Sequence, residues 1–208
     1  SGYGVSAALY PDEPAVIDEL GTVTFAELDR RTNAIARRWK SEGIGPGRSI
    51  AILCRNHRGF VEATLAASKT GADMLYLNTS FAGPQVAEVC RIEGPIAIAH
   101  DAEFTDLVAE AADGRTRYVM WPEPVATDGD ERPLDPPDRP GRVIILTSGT
   151  TGTPKGAGRH HPTSLDPAAA LLDMIPLRAR QRTLIAAPMF HSWGLAHFNL
   201  GLTLSTTL

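Results

Sequence analysis

The sequence predicts an α/β fold, in which helices cover both faces of a mainly parallel sheet. Between Ser49 and Trp121, short apolar runs of strand-like composition alternate with segments of helical spacing. This alternation is typical of parallel sheets that are covered on both faces. Two later strand-like runs, Val143–Leu146 and Thr183–Ala187, predict the start of a second, incomplete α/β sheet.

Local signals place the elements in chain order. Pro14–Asp18 and Thr22–Phe25 flank a glycine turn and predict a short hairpin. Thr24 and Glu27 form a capping-box pattern, which predicts the start of a helix that ends at Gly43. The elements that follow are predicted as strand Ser49–Cys54, helix Gly59–Thr70, strand Met74–Leu77, helix Pro84–Arg91, strand Ile96–Ala99, helix Ala102–Ala112 and strand Tyr118–Trp121.

Residues 122–141 interrupt this alternation. They contain six prolines, and six carboxylates stand against two arginines. Such a segment cannot form a core, so we predict an exposed linker. It separates a first α/β subdomain, residues 1–121, from residues 142–208, which hold a polar loop and a partial second α/β subdomain. In the latter part, Ser164–Ile175 is predicted to be a helix.

Composition and charge narrow the range of functions. A chain of 208 residues with 43% hydrophobic residues can bury a core. Its net charge of −4 argues against a nucleic-acid partner, because nucleic-acid-binding surfaces are normally basic. Cys54 and Cys90 lie in apolar segments and are predicted to be buried free thiols. With no long apolar run, we expect a cytoplasmic protein with at most peripheral membrane contact.

Hydroxyl groups, glycines and one lysine are concentrated directly after the strand-like run Val143–Leu146. Glycines allow successive backbone N–H groups to converge on one point, hydroxyls add short donors, and the lysine adds a mobile cation. With no carboxylate nearby, this composition predicts a polyphosphate site. The candidate phosphate-binding residues are Thr147, Ser148, Gly149, Thr150, Thr151, Gly152 and Lys155.

Two other interpretations of this loop agree less well with its residues. An ordinary polar turn would not need so many hydroxyls together with a lysine. The Walker P-loop requires a glycine directly before the lysine and a hydroxyl after it. Here Thr153 and Pro154 separate Gly152 from Lys155, and Gly156 follows the lysine, so the Walker spacing is not met.

Residues 147–156, TSGTTGTPKG, resemble the phosphate-loop signature of the adenylate-forming enzymes. This family includes acyl-CoA synthetases, coumarate-CoA ligases, luciferases and peptide-synthetase adenylation domains, and the acyl-CoA synthetases are the most similar. Three weaker stretches also resemble the family: Thr24–Leu28, Lys69–Asn78 and Pro188–Gly194, the last matching P-x-F-H-x-x-G. The chain departs from the family pattern at Tyr76, where many members have proline, and at 158–161.

The resemblance implies a reaction in two steps. A carboxylic acid, expected to be a fatty acid, attacks the α-phosphate of ATP and gives an acyl-adenylate and pyrophosphate. The thiol of coenzyme A then displaces AMP. ATP, Mg²⁺ and coenzyme A are therefore the expected small-molecule partners. The resemblance also implies that the phosphate-loop residues hold the β- and γ-phosphates, and that Lys155 and His191 are catalytic, with His191 where nucleotide and acyl chain meet.

No metal ligands are assigned in this chain. The adjacent pair His160 and His161 cannot easily face one ion, and no Cys, Asp or Glu cluster lies close in sequence. His197 is expected to be a partly buried structural histidine.

The family's adenine, ribose and C-terminal lysine motifs are not found after His191. We therefore interpret the chain as the N-terminal part of a longer enzyme. These residues alone are expected to be inactive and to self-associate through uncovered apolar surface. One alternative is a truncated nucleotide-binding or interaction module. Another is a hydrolase that pairs Ser148 or Ser192 with His191, although no G-x-S-x-G elbow is present.

Overall fold

The computed structural model describes residues 2–122, 129–147, 155–159 and 166–208. The strands are β1 (Pro14–Asp18), β2 (Gly21–Thr24), β3 (Ser49–Leu53), β4 (Asp73–Tyr76), β5 (Ala97–Asp101), β6 (Thr116–Trp121), β7 (Val143–Thr147) and β8 (Lys155–Arg159). The helices are α1 (Gly2–Leu9), α2 (Phe25–Ser41), α3 (Arg58–Thr70), α4 (Gly83–Glu93), α5 (Ala109–Ala112), α6 (Asp166–Met174) and α7 (Ser192–Thr203).

The main sheet has the strand order β6-β5-β3-β4-β7-β8. Strands β3 to β7 of this sheet run parallel to one another, and only the edge strand β8 is antiparallel to its neighbour. All parallel strands therefore end at the same edge, which we call the carboxyl edge. None of the helices in the described ranges combines the length and apolar character needed to cross a bilayer.

Hydrophobic cores cover both faces of the sheet, because successive strand residues point to opposite sides. Ile50 and Ile52 of β3 belong to the core that includes residues of α2, α3 and α7. Ala51 and Leu53 belong to the core that includes residues of α4 and α5. The predicted α/β class, with a mainly parallel sheet and helices on both faces, is confirmed.

The local signals read from the sequence act as expected. The hydroxyl of Thr24 accepts a hydrogen bond from the Glu27 N–H at 3.2 Å, and the Glu27 carboxylate accepts one from the Thr24 N–H at 2.8 Å. This capping box starts α2. Gly71 ends α3 in the left-handed region, with φ of 77°, a conformation that favours glycine. Cys54 and Cys90 are both buried and free, as predicted.

The sequence predicted that β7 begins a second sheet. In the structure β7 belongs to the main sheet instead. It pairs in parallel with β4, with Met74 opposite Val143. The Asp73 carboxylate accepts hydrogen bonds from the Arg142 backbone N–H at 2.7 Å and from its guanidinium at 2.7 and 2.9 Å. Gly141 passes so close that a Cβ atom would lie 1.8 Å from the Ala72 carbonyl oxygen.

The start of a second sheet is found elsewhere, beside the hairpin β1–β2. The Ile17 N–H donates to the Leu208 carbonyl at 2.8 Å, and the Leu208 N–H donates to the Ala15 carbonyl at 2.9 Å. This alternation is that of a parallel pair. On its other side, Thr207 forms an isolated parallel bridge with Arg182. Residues 207 and 208 thus lie between β1 and Arg182 and bind both by backbone hydrogen bonds.

Other elements differ from the sequence-based expectation. The predicted strand Thr183–Ala187 is not a strand, and only the bridge at Arg182 lies near it. The predicted helix Ala102–Ala112 is divided into a 3-10 turn and the short helix α5. The predicted helix Ser164–Ile175 appears as α6, while residues 164 and 165 lie outside the described residues. Helices α1 and α7 and strand β8 were not predicted.

The described part of the linker runs along α2. The Asn33 side chain donates to the Glu131 carbonyl at 3.0 Å, and the Arg37 guanidinium donates to the carbonyls of Arg132 at 2.9 Å and Pro133 at 2.8 Å. Most of its residues from 129 to 140 are exposed. The division into two subdomains remains a prediction.

A buried ion pair joins the hairpin to α3. The side chains of Asp18 and Arg58 are 7% and 9% exposed. The Asp18 carboxylate accepts hydrogen bonds from the Arg58 backbone N–H and Nε, both at 2.9 Å, and from the Leu20 N–H at 3.0 Å. Burial by itself would raise the pKa of Asp18, but the hydrogen bonds and charge of Arg58 outweigh it and leave this pKa lowered.

We predict that Asp18→Asn destabilises the protein, because it leaves the buried Arg58 guanidinium without the carboxylate to which it is hydrogen-bonded. The expected loss at pH 7 is about 3–5 kcal/mol of unfolding free energy, measured by urea denaturation. The lowered pKa means that the Asp18 carboxylate stabilises the fold above its unfolded pKa of about 3.9, and that this contribution disappears as pH falls through the folded value.

The difference between wild type and Asp18→Asn should therefore shrink in acid. The matched control is Asp12→Asn, which removes an exposed carboxylate from the same region and should change stability by less than about 0.5 kcal/mol. Equal effects of the two substitutions at pH 7 would contradict the assignment.

Candidate active site at the carboxyl edge of the sheet

The two ends of the predicted phosphate loop meet at the carboxyl edge. Thr147, the last residue of β7, and Lys155, the first residue of β8, are direct partners across the antiparallel pair. The backbone of both residues is therefore fixed by the sheet. Residues 148–154 lie outside the described residues, and with them the candidates Ser148, Gly149, Thr150, Thr151 and Gly152. The pair His160 and His161 also lies outside them.

His191 lies immediately before α7. Its backbone is extended, with φ of −96° and ψ of 151°, and its side chain is exposed and makes no capping hydrogen bond. Met189, two residues earlier, is 4% exposed and belongs to the core that includes residues of α2, α3 and α7. Met189 thus anchors the segment while the imidazole of His191 faces outward.

Gly194 allows α7 to pack directly on the backbone that precedes His191. A Cβ atom at this position would lie 2.2 Å from the Pro188 carbonyl oxygen and 2.8 Å from that of Ala187. The His191 N–H donates to the same Pro188 carbonyl at 3.0 Å, and the Leu195 N–H donates to the His191 carbonyl at 2.9 Å. This close packing explains why the last position of the P-x-F-H-x-x-G stretch is a glycine: any side chain there would overlap the Pro188 carbonyl.

Asn56 joins this segment to the carboxyl edge, three residues after β3 ends. Its Nδ2 donates to the carbonyls of Ile185 at 2.9 Å and Ala187 at 2.8 Å, and its Oδ1 accepts from the Met189 N–H at 2.8 Å. Only β4 separates β3 from β7 in the sheet. With strands about 4.8 Å apart, the ends of β3 and β7 are about 10 Å from each other. Asn56 lies in none of the sequence motifs described above and was not predicted as a site residue.

A buried cluster fixes the turn that carries Asn56. Asp101 ends β5 and is fully buried. Its carboxylate accepts hydrogen bonds from the Arg55 N–H at 2.8 Å and from His57 Nε2 at 3.0 Å. The Gly59 N–H donates to His57 Nδ1 at 3.1 Å, so the proton of the neutral ring lies on Nε2. Trp121 stacks on this ring with centroids 4.3 Å apart.

Among the described residues, Cys54, Ser192 and His197 show no arrangement for catalysis. Burial raises the pKa of the Cys54 thiol, and the nearby Asp101 carboxylate raises it further, which disfavours a thiolate. In the part of the chain that the structure describes, no hydrogen bond joins the side chains of Ser192 and His191. His197 is partly buried and donates from Nδ1 to the Trp193 carbonyl at 3.0 Å, in agreement with a structural role.

The sequence resembles known proteins over nearly its whole length. The family model described as AMP-binding enzyme matches residues 5–208. Feruloyl-CoA synthase from Amycolatopsis sp is 31% identical over 191 residues, covering 89% of this chain and 38% of that protein. The fatty acid–[acyl-carrier-protein] ligase ScoC from Streptomyces coeruleorubidus is 31% identical over 210 residues, covering 93% of this chain and 40% of that protein.

The fold is also shared with solved structures. O-succinylbenzoate coenzyme A synthetase (MenE) from Bacillus subtilis, in complex with ATP and magnesium ion, superposes with a TM-score of 0.78 at 23% identity. The superposition covers 100% of this chain and 56% of that chain. The chain spans less than half the length of the two curated relatives described above: 38% of feruloyl-CoA synthase and 40% of ScoC.

We predict that Gly194→Ala separates α7 from the segment before His191, because the added methyl group would overlap the Pro188 carbonyl. The amides of Met189 and His191, which donate to Asn56 and Pro188, should then exchange faster with deuterium. Hydrogen-exchange mass spectrometry of peptides spanning 185–195 measures this. Gly4→Ala on α1, where a Cβ meets nothing within 4 Å, is the matched control. Unchanged exchange in Gly194→Ala would refute the steric argument.

Proposed function

The chain belongs to the family of AMP-binding enzymes, and we propose that the whole protein is an acyl-CoA synthetase. In this proposal it activates a carboxylic acid as an acyl-adenylate and transfers the acyl group to coenzyme A. One observation carries the proposal. The structure holds Thr147 and Lys155, the two ends of the phosphate-loop sequence, as partners at the carboxyl edge, where α/β sheets commonly bind their ligands.

The names of the relatives support a carboxylic acid as the substrate class, but they differ in the acid and the acceptor. ScoC is named for a fatty acid and an acyl-carrier protein, and feruloyl-CoA synthase for an aromatic acid and coenzyme A. We propose a fatty acid as substrate and coenzyme A as acceptor.

In the first step, a carboxylate oxygen of the acid attacks the α-phosphorus of ATP. The bond from this phosphorus to the bridging oxygen breaks, and pyrophosphate leaves with the electron pair. We propose that Lys155 and the loop N–H and O–H groups neutralise this departing charge. Such preorganised donors act where charge develops in the transition state. In the second step, the thiol of coenzyme A loses its proton to solvent and its sulfur attacks the acyl carbon; the bond from this carbon to the phosphate oxygen breaks, and AMP leaves with the electron pair.

Magnesium is proposed to enter with ATP, as both are present in the MenE complex. When bound, Mg²⁺ would neutralise part of the phosphate charge. The described residues contain no group of three or more His, Cys, Asp or Glu side chains that could hold a metal ion. Among these described residues we assign no magnesium ligand.

The proposal is tested on the full-length protein by ATP–pyrophosphate exchange with a panel of carboxylic acids, which includes fatty acids of several lengths and ferulate. Exchange that depends on an added acid, followed by thioester formation with coenzyme A, is the expected result. Cleavage of an ester to free acid and alcohol without ATP would instead indicate a hydrolase. ATP binding without acid-dependent exchange would indicate a nucleotide-binding module, and either outcome would overturn the proposal.

Lys155→Ala should slow adenylate formation by about ten- to a thousandfold, the range typical of losing one transition-state donor. Thioester formation from a supplied acyl-adenylate should change much less, because pyrophosphate has already left. Pyrophosphate exchange and thiol consumption measure the two half-reactions separately. Lys40→Ala, which removes an exposed lysine of α2, is the control and should leave both rates unchanged. Equal losses in the two half-reactions of Lys155→Ala would show that the lysine has a different role.

A further inference from the structure

We propose that Asn56 is a positioning residue for His191. In this proposal, the Asn56 amide holds the backbone of residues 185–189 at the carboxyl edge and thereby sets where the imidazole meets the reacting acyl and phosphate groups. The inference rests on the proposed function, because it assigns His191 to that reaction.

Both polar atoms of the Asn56 side chain bind the segment. A primary amide has two N–H donors and one carbonyl acceptor in its plane, and here both kinds of group bind the same segment. The three partners are the carbonyls of Ile185 and Ala187 and the N–H of Met189, at 2.8–2.9 Å. Neither aspartate nor leucine, which have similar size, can make this set of bonds.

The shape of the segment explains why one side chain is enough. The chain bends at residue 187 and turns at residues 189 and 190. The carbonyls of Ile185 and Ala187 and the Met189 N–H therefore come within 2.8–2.9 Å of a single amide group.

Asn56 is itself held at a fixed place on the sheet. On one side, the Arg55 N–H donates to the buried Asp101 carboxylate at 2.8 Å, and its guanidinium forms two hydrogen bonds to Glu103 at 2.6 and 2.9 Å. On the other side, His57 also contacts Asp101. The residues on either side of Asn56 are therefore tied to the end of β5, and the position of the amide follows that of the sheet.

The position of the segment is passed on directly to His191. Only Phe190 separates Met189, which is bound to Asn56, from His191, and the His191 N–H is bound back to Pro188 at 3.0 Å. Gly194 lets the first turn of α7 pack against the Ala187 and Pro188 carbonyls of the same segment. Without the amide, the segment loses three hydrogen bonds and the imidazole loses its fixed distance from the sheet.

Asn56→Ala and Asn56→Asp test the proposal in the full-length protein. Misplacing a catalytic group by about 1 Å can cost about a hundredfold in rate, so we expect adenylate formation to slow by about ten- to a hundredfold in kcat, with little change in KM for ATP. The aspartate keeps the size of the side chain but repels the two carbonyls, and it should be no better than alanine. The matched control is Asn199→Ala, which removes an exposed asparagine of α7 and should have wild-type rates.

A double-mutant cycle with His191→Ala separates positioning from a general loss of stability. If Asn56 acts through His191, adding Asn56→Ala to His191→Ala should slow adenylate formation by less than about threefold more. If the two effects multiply, Asn56 does not act through His191 and the proposal is overturned.

Hydrogen exchange supplies a measurement that does not depend on activity. Asn56→Ala should increase deuterium uptake in peptides spanning 185–191, while peptides from β3 and β5 stay at the wild-type level. Unchanged uptake at 185–191 would overturn the role of Asn56 even if the enzyme is active. A full-length wild type without acid-dependent pyrophosphate exchange would instead overturn the proposed function, so the two failures are distinguishable.

Discussion

The close approach of Gly141 to the Ala72 carbonyl is the constraint on which the site depends. It brings the chain back beside β4 after the linker, and the Asp73 carboxylate then binds both the backbone and the guanidinium of Arg142. From that point β7 can run only in parallel with β4 and end at the carboxyl edge. The start of the phosphate loop is thereby placed beside the ends of the central strands. Gly141 and Asp73 thus fix where the chain leaves the linker and enters β7, the strand that leads to the phosphate loop.

Much of the fold could be predicted because its signals are local. The capping box of α2 and the glycine that ends α3 involve residues three or four positions apart, and the strand-like runs from 49 to 121 form the parallel sheet. The partner of β7 could not be predicted, because an apolar run shows that a strand is buried but not which strand lies beside it. Helix α7 was missed for a related reason. Gly194 and Gly201 weaken its helical signal, and they are needed for close packing that only the tertiary structure shows.

The candidate site was predictable only where a sequence motif marks it. Lys155 and His191 lie in such motifs, whereas Asn56 has no motif and acts on residues about 130 positions later in the chain. The apolar run 183–187 led to a predicted strand, but the chain bends at residue 187, and the carbonyls of Ile185 and Ala187 bind the Asn56 side chain and not a strand. Sequence periodicity cannot distinguish these two partners.

The pairing of residues 207 and 208 with β1 also affects the order in which the protein can fold during synthesis. The Thr207 hydroxyl donates to the Pro14 carbonyl across 193 positions of sequence. At a synthesis rate of about 5–20 residues per second, β1 leaves the ribosome about 10–40 s before this partner exists. During that interval one edge of the N-terminal hairpin has no strand beside it, and exposed edges of this kind can pair with other chains. Folding of the main sheet can proceed while translation continues, but this edge of the N-terminal hairpin is covered only after residues 207 and 208 have been made.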